Sequence, residues 1–209
     1  LWAAGIEWAD DLAPVGAASP AERAVLARQL DGGVGTVATS SMGRLFDAVS
    51  SIVGLRHDAT YEAQAAMELQ WAAEATLARA PESTRPYRFA LTEADGRTLM
   101  DPAPVLRALV ADRRAAVAPG AMAAGFHAAV ACVLADAATG VRARPGIDTV
   151  ALSGGVFQNT LLLALARREL EARGFRVLTH QQVPPNDGGL ALGQAVVAAA
   201  RASSVGIGA

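Results

Sequence analysis

The sequence predicts an α/β fold that contains a parallel pair of strands together with additional helices. In its last third, residues 149–152 and 175–178 are rich in apolar and β-branched side chains, and each run is followed by a glycine-containing loop and a helical pattern. A strand, a crossover helix and a second strand in this order are typical of parallel pairing. The chain has 209 residues, of which 52% are hydrophobic, so it is long enough to bury a core.

Helices account for most of the first 140 residues. Residues 1–19 form a lead-in segment. Ser19-Pro20 is a typical helix start, and Asp31-Gly32-Gly33 is a typical helix end. A second helix is expected from Ser40-Ser41 to Gly54, because its apolar residues recur at helical spacing. Further helices are predicted over residues 60–78, 102–114, 119–139, 161–173 and 190–201.

Besides the strand at residues 175–178, three short segments are predicted as strands. Residues 87–91 have a strand pattern, and Asp95-Gly96 is a hairpin signal that pairs them with residues 97–100. Residues 149–152 are expected to be a buried strand. The predicted class is therefore an α/β lobe with a mixed sheet.

Composition excludes several functional classes. The 18 cations are all arginines, and the absence of lysine excludes P-loop chemistry, kinase-type phosphate positioning and a pyridoxal Schiff base. A net charge of −2 offers no basic surface for nucleic acid or membranes. The single cysteine, Cys132, excludes a disulfide scaffold, so we expect a cytoplasmic location. Neither a signal peptide nor a transmembrane segment is expected, and a start at Leu1 suggests part of a longer protein.

The first candidate site is the sequence LSGGVFQN at residues 152–159. Gly154 and Gly155 would let the backbone approach an anion closely, and Asn159 would point its amide at the same cleft. The alternative is a tight strand-to-helix turn in which Asn159 is the N-cap. Ser153 lacks the flanking pattern of a nucleophile elbow, so no covalent nucleophile or other catalytic residue is assigned.

The second and third candidate sites each carry a carboxylate. Asp187, in VPPNDGGL at residues 183–190, would either cap the following helix or bind a metal. Asp47 lies one turn beyond Gly43 and would either be solvated or receive a ribose hydroxyl. Tyr61-Glu62, near a predicted helix start, would either cap that helix or contact a ligand. His127 is expected to be a packed or a surface residue, and the three histidines show no metal-binding spacing.

Three segments in register resemble the C-terminal part of the HypF family of hydrogenase maturation carbamoyltransferases. They are SSMGRLFDAV at residues 40–49, ALSGGVFQN at 151–159 and PPNDGGLALGQ at 184–194. The resemblance covers about residues 20–202 and implies an RNase H/actin-like fold of the Kae1-like branch. It implies that residues 20–205 are the second lobe of a Kae1-like carbamoyltransferase domain, with the upstream lobe and the N-terminal domains outside this chain.

The same resemblance implies a function and a set of site residues. The family uses ATP and carbamoyl phosphate to form carbamoyl-adenylate, and passes the carbamoyl group to the C-terminal cysteine of its partner HypE during synthesis of the NiFe-hydrogenase cyanide ligands. It places nucleotide contacts at Asp47, Glu62, Gly154, Gly155 and Asn159. It places a divalent metal, Mg, Fe or Zn, at Asp187.

Two departures from the family pattern affect these expectations. The paired metal histidines of the family lie upstream of the matching region, so we expect this chain alone to be inactive. Ala63 stands where the family usually has glycine, after Tyr61-Glu62. The alternatives are a related Kae1/TsaD-like or O-carbamoyltransferase lobe, or a non-catalytic lobe that docks partner proteins.

Overall fold

The computed structural model describes residues 1–81, 84–143 and 146–205. In this part of the chain there are eight α-helices and four β-strands. The helices are α1 (Ala13–Gly16), α2 (Pro20–Gly32), α3 (Met42–Ile52), α4 (Gln64–Arg79), α5 (Ala103–Arg114), α6 (Pro119–Arg142), α7 (Thr160–Ala172) and α8 (Leu190–Val205). The strands are β1 (Ala90–Ala94), β2 (Arg97–Asp101), β3 (Thr149–Leu152) and β4 (Arg176–Thr179).

The helix starts follow from capping residues in the sequence. Ser19 caps α2 in a reciprocal capping box with Glu22, and Ser41 caps α3 by accepting from the Arg44 amide. Helix α4 begins at Gln64, four residues later than predicted. Ala63 adopts the left-handed conformation there, with φ of 62°, so the helix cannot extend back to Thr60.

Helix α6 is the centre of the core. It packs against α4 and α7, and Phe126 of α6 meets Phe46 of α3 edge to face, with ring centroids 4.9 Å apart. A Cβ at Gly125 would lie 2.7 Å from the Arg85 carbonyl oxygen, so a glycine is needed for this close approach. By length and composition α6 is also apolar enough to cross a membrane, but most of it is buried inside the protein, as in a core helix.

Strands β1 and β2 form the predicted antiparallel hairpin. Asp95 and Gly96 at its turn both have positive φ, as a two-residue type I′ hairpin requires. The strand begins at Ala90, so the prediction of a strand from Tyr87 was wrong. Tyr87 instead turns into the core, where its hydroxyl donates to the Asp112 carboxylate at 2.6 Å.

Strands β3 and β4 pair in parallel, and α7 forms the crossover between them. Only Leu152 of β3 is buried, so the prediction of a buried strand was wrong. Successive side chains alternate, and Thr149 and Ala151 lie on an exposed face. The α/β class with additional helices is confirmed, but the described strands form two separate two-stranded sheets rather than one mixed sheet.

The two ends of the chain differ in how they pack. The lead-in segment joins the core through buried Leu12 and Val15, and the Arg107 guanidinium donates to the Ala4 carbonyl at 2.9 Å. In contrast, residues 190–202 of α8 are exposed throughout, although they include four large apolar residues: Leu190, Leu192, Val196 and Val197. The final helix therefore contributes an apolar surface rather than core.

Candidate functional site

The glycine loop after β3 and the loop after β4 border a common cleft of about 750 Å³. Residues 153–155 and His180 lie at the ends of the two parallel strands, residues 183–187 form the facing loop, and α8 forms the remaining wall. Ligands of α/β proteins bind at the carboxyl ends of parallel strands. The structure thus brings together two of the three segments that the sequence singled out.

The glycine loop is tied directly to the facing loop. The Gly154 amide donates to the Pro185 carbonyl at 2.8 Å, and this requires φ of 103° and ψ of 157° at Gly154, a conformation open essentially to glycine alone. At Gly155 the backbone is ordinary, and a Cβ would meet only Asn186 Cβ, at 3.8 Å. Gly154 is therefore needed to shape the loop, whereas Gly155 leaves free space on the cleft side.

Asp187 offers an uncommitted carboxylate to the cleft. Asp187 is exposed, and its carboxylate makes no hydrogen bond or ion pair with any residue that the structure describes. The alternative of a helix cap is taken by its neighbour, since Asn186 Oδ1 accepts from the Gly188 amide at 3.2 Å. Gly189 has a packing role, because a Cβ there would lie 2.8 Å from the Pro184 carbonyl oxygen.

Asn159 does not line the cleft, and the structure favours the N-cap alternative, while its nucleotide contact stays a prediction. Its Oδ1 accepts from the Leu162 amide at 2.9 Å, which makes it the N-cap of α7. Its Nδ2 lies 2.9 Å from His127 Nε2. Both polar atoms of this side chain are therefore engaged inside the protein.

His127 is fully buried in α6, so it is a packed residue rather than a surface residue. Its Nδ1 lies 2.8 Å from the Ala123 carbonyl, so Nδ1 is the donor and Nε2 accepts from Asn159. Burial lowers the pKa of His127 to about 4, against smaller raising effects of the Ala123 carbonyl and the Glu74 charge. The sequence shows only a histidine within an apolar helix and does not reveal this pairing.

Asp47 and Glu62 lie outside the residues that line the cleft. Asp47 pairs with Arg44 on α3, with 3.1 Å between Arg44 Nη2 and Asp47 Oδ2. Glu62 is exposed in the turn before α4. It does not cap that helix, because the N-cap position is Ala63 and no side chain bonds the first amides of α4. Their nucleotide contacts stay predictions.

The described residues do not complete a metal site. No group of three or more His, Cys, Asp or Glu side chains comes together in residues 1–81, 84–143 and 146–205. A divalent cation takes several ligands, and Asp187 would supply only one carboxylate. The remaining ligands of a metal at this position would have to come from other residues.

Comparisons with known proteins agree with the resemblance seen in the sequence. Residues 1–194 match the family model described as the second subdomain of the Kae1-like domain of carbamoyltransferase HypF. Carbamoyltransferase HypF2 of Cupriavidus necator is 39% identical and is matched over 78% of this chain. Carbamoyltransferase HypF of Rhodobacter capsulatus is 39% identical and is matched over 88%.

Solved structures show the same relationship at the level of the fold. Full-length HypF in a phosphate- and nucleotide-bound form aligns with a TM-score of 0.80 and 36% identity over 88% of this chain. HypF of T. kodakarensis aligns with a TM-score of 0.71 and 26% identity. The Kae1-like class is therefore confirmed. The chain spans 22% and 23% of the two curated relatives and 24% of the first solved chain.

Proposed function

Since the chain belongs to the HypF carbamoyltransferase family, as the second subdomain of its Kae1-like domain, we propose that it forms part of the site that binds the nucleotide. In this proposal the whole protein passes a carbamoyl group from carbamoyl-adenylate to the C-terminal cysteine of HypE, during synthesis of the NiFe-hydrogenase cyanide ligands. The supporting observation is the cleft in which an open glycine loop faces the uncommitted carboxylate of Asp187.

The chemistry of this cleft is electrostatic. Gly155 lets a phosphate group approach the backbone, because no side chain fills the space on the cleft side. A divalent metal would neutralise phosphate charge when bound, and Asp187 would provide one of its ligands. We assign no covalent nucleophile, so the proposed role of this chain is to hold the ligand in position.

The proposed partners follow from the same assignment. ATP and a divalent metal are the cofactors, HypE is the protein acceptor, and carbamoyl phosphate enters through domains that the relatives contain beyond the matched region. The near-neutral charge supports neither nucleic acid nor a membrane as a partner. We place the reaction in the cytoplasm, where the lone half-buried Cys132 would stay reduced.

Calorimetric titration of this chain with ATP and Mg²⁺ tests the proposal, beside Gly155→Ala and Gly140→Ala. The Gly155 variant should fold, because its new Cβ meets nothing closer than 3.8 Å, but it should weaken binding about tenfold by filling the cleft. Gly140 is a control, since its Cβ would meet no described atom within 4 Å and it does not line the cleft. Equal affinity in all three proteins would contradict a phosphate contact at this loop.

A docking role is the second candidate, and the exposed apolar side of α8 favours it. Asp187→Asn separates the two functions, because it removes the charge without changing the shape of the side chain. A lobe that only docks partners would tolerate the change. A nucleotide and metal site would lose Mg²⁺-dependent ATP binding.

A further inference from the structure

Ser153 and His180 occupy equivalent positions in the parallel sheet. Ser153 directly follows β3, His180 directly follows β4, and Leu152 and Thr179 before them are register partners. Ser153 Oγ lies 2.9 Å from His180 Nε2. Both side chains are exposed and both line the cleft, so they form a polar pair in it. Ser153 belongs to the motif at residues 152–159, whereas His180 lies outside both loop motifs.

The charged side chains around this pair are of both signs. Because the chain has no lysine, its anion-binding side chains are arginine and histidine. The other charged groups that line the cleft in the described residues are Asp187 and Arg201. Ser153 directly precedes the Gly154-Gly155 loop, so its hydroxyl belongs to the segment at which a phosphate group would approach in the proposed function.

We propose that Ser153 and His180 together bind the phosphate group of the nucleotide, a contact that deepens the proposed function and rests on it. His180 donates from Nε2 to Ser153 Oγ, and the Ser153 hydroxyl then donates to a phosphate oxygen. Hydrogen bonds in such a chain polarise one another and strengthen the final one to the anion. Ser153 is the group that touches the ligand, and His180 is a positioning residue that orients it.

This arrangement predicts a selective effect of substitution. AMP and adenosine differ only in the phosphate group. Loss of the pair should therefore weaken the binding of AMP and leave the binding of adenosine unchanged. A hydrogen bond to a charged group corresponds to about tenfold or more in affinity. Neither side chain is buried, so Ser153→Ala and His180→Gln should both fold.

The experiment measures AMP and adenosine affinity of this chain by calorimetry, for the wild type, Ser153→Ala, Ser153→Thr, His180→Gln and Gln181→Ala. Ser153→Ala and His180→Gln should lose about tenfold in AMP affinity, whereas Ser153→Thr keeps a hydroxyl and should lose much less. Gln181 is a matched control at the same strand end, because its amide bonds Thr179 and it does not line this cleft. In parallel, the His180 imidazole resonance, assigned by its loss in His180→Gln, is followed during titration with inorganic phosphate.

The outcomes distinguish this inference from the proposed function. Unchanged AMP affinity in Ser153→Ala and His180→Gln overturns the inference while the nucleotide site stands. No AMP binding by the wild type, with a phosphate-induced shift at His180 that Ser153→Ala abolishes, supports the anion site but contradicts the nucleotide site. Absence of any His180 response to both AMP and phosphate overturns the inference.

Discussion

Two neighbouring serines in α3 differ in whether their hydroxyl groups find a partner. Ser50 is fully buried, and its Oγ has no hydrogen-bond partner among the described residues. Ser51 is also buried, but its Oγ lies 2.8 Å from His57 Nδ1. An unpaired buried hydroxyl costs free energy, whereas a paired one contributes a modest stabilisation.

Replacing Ser50 or Ser51 by alanine should therefore change the free energy of unfolding in opposite directions. Ser50→Ala should raise the free energy of unfolding by about 1 kcal/mol, because it removes a buried group that bonds to nothing. Ser51→Ala should lower it by about 1 kcal/mol, because the bond to His57 is lost. Urea denaturation of both variants measures this difference, and a Ser50 variant less stable than the wild type would show that its hydroxyl is satisfied.

The buried His127 makes stability depend on pH. Its pKa is about 4 in the folded protein, against an ordinary value of 6.5, so between these values the unfolded chain binds a proton that the folded chain does not. Stability is therefore complete above about pH 6.5 and falls as the pH is lowered toward 4. The expected slope is at most about 1.4 kcal/mol per pH unit within this window.

His127→Phe should remove this slope, because phenylalanine does not titrate and is close in shape. The measurement is urea denaturation at several pH values between 4 and 7. The substitution also removes the bond from Asn159, so its absolute stability will be lower at neutral pH. His180→Gln, at an exposed histidine, is the control. A slope retained in His127→Phe would assign the pH dependence to other groups.

At the scale of elements, the start of α4 contains a local conflict. Ala63 has φ of 62°, a left-handed conformation that costs roughly 1–2 kcal/mol for an L-residue. Ala63→Gly should raise the free energy of unfolding by up to about 1 kcal/mol, after the greater freedom of glycine in the unfolded chain is included. Ala75→Gly, at an exposed interior position of the same helix, should instead lower it by about 1 kcal/mol. Equal effects of the two changes on thermal denaturation would contradict the strained start.

Elements with local signals were predictable from the sequence. The Ser19 cap, the Asp95-Gly96 turn and the order of β3, α7 and β4 each depend on residues close in the chain. The start of α4 was not predictable, because it depends on the backbone angle of Ala63. The start of β1 was not predictable either, because Tyr87 is held in the core by its contact with Asp112. Burial was least predictable, since the apolar pattern of α8 does not show that its side chains lie exposed.

At the scale of the whole molecule, the sequence indicated the residues of the cleft but not all of their roles. Gly154, Gly155 and Asp187 come together because the ends of parallel strands meet at one edge. Asn159 lies in the same motif, yet its side chain turns inward to His127, a residue 32 positions away in sequence. Such a contact depends on how α6 packs against α7 and leaves no local pattern.

The incomplete ligand set predicts that this chain alone does not transfer carbamoyl groups. Asp187 is a single carboxylate, and no group of three or more His, Cys, Asp or Glu side chains comes together in the described residues. With ATP, Mg²⁺ and carbamoyl phosphate, a HypE peptide that ends in cysteine should gain no carbamoyl mass by mass spectrometry. Carbamoylation of the peptide by this chain would contradict the expectation that other domains are required.

The most direct test of the cleft as the ligand site is an amide NMR titration of this chain with AMP. The largest changes in chemical shift should fall at residues 153–155 and 186–190, on the two loops that the bond from Gly154 to Pro185 joins. Changes that cluster at α3 and at Glu62 and leave both loops unaffected would contradict it. They would move the nucleotide contact to the two sequence-predicted segments that the cleft does not include.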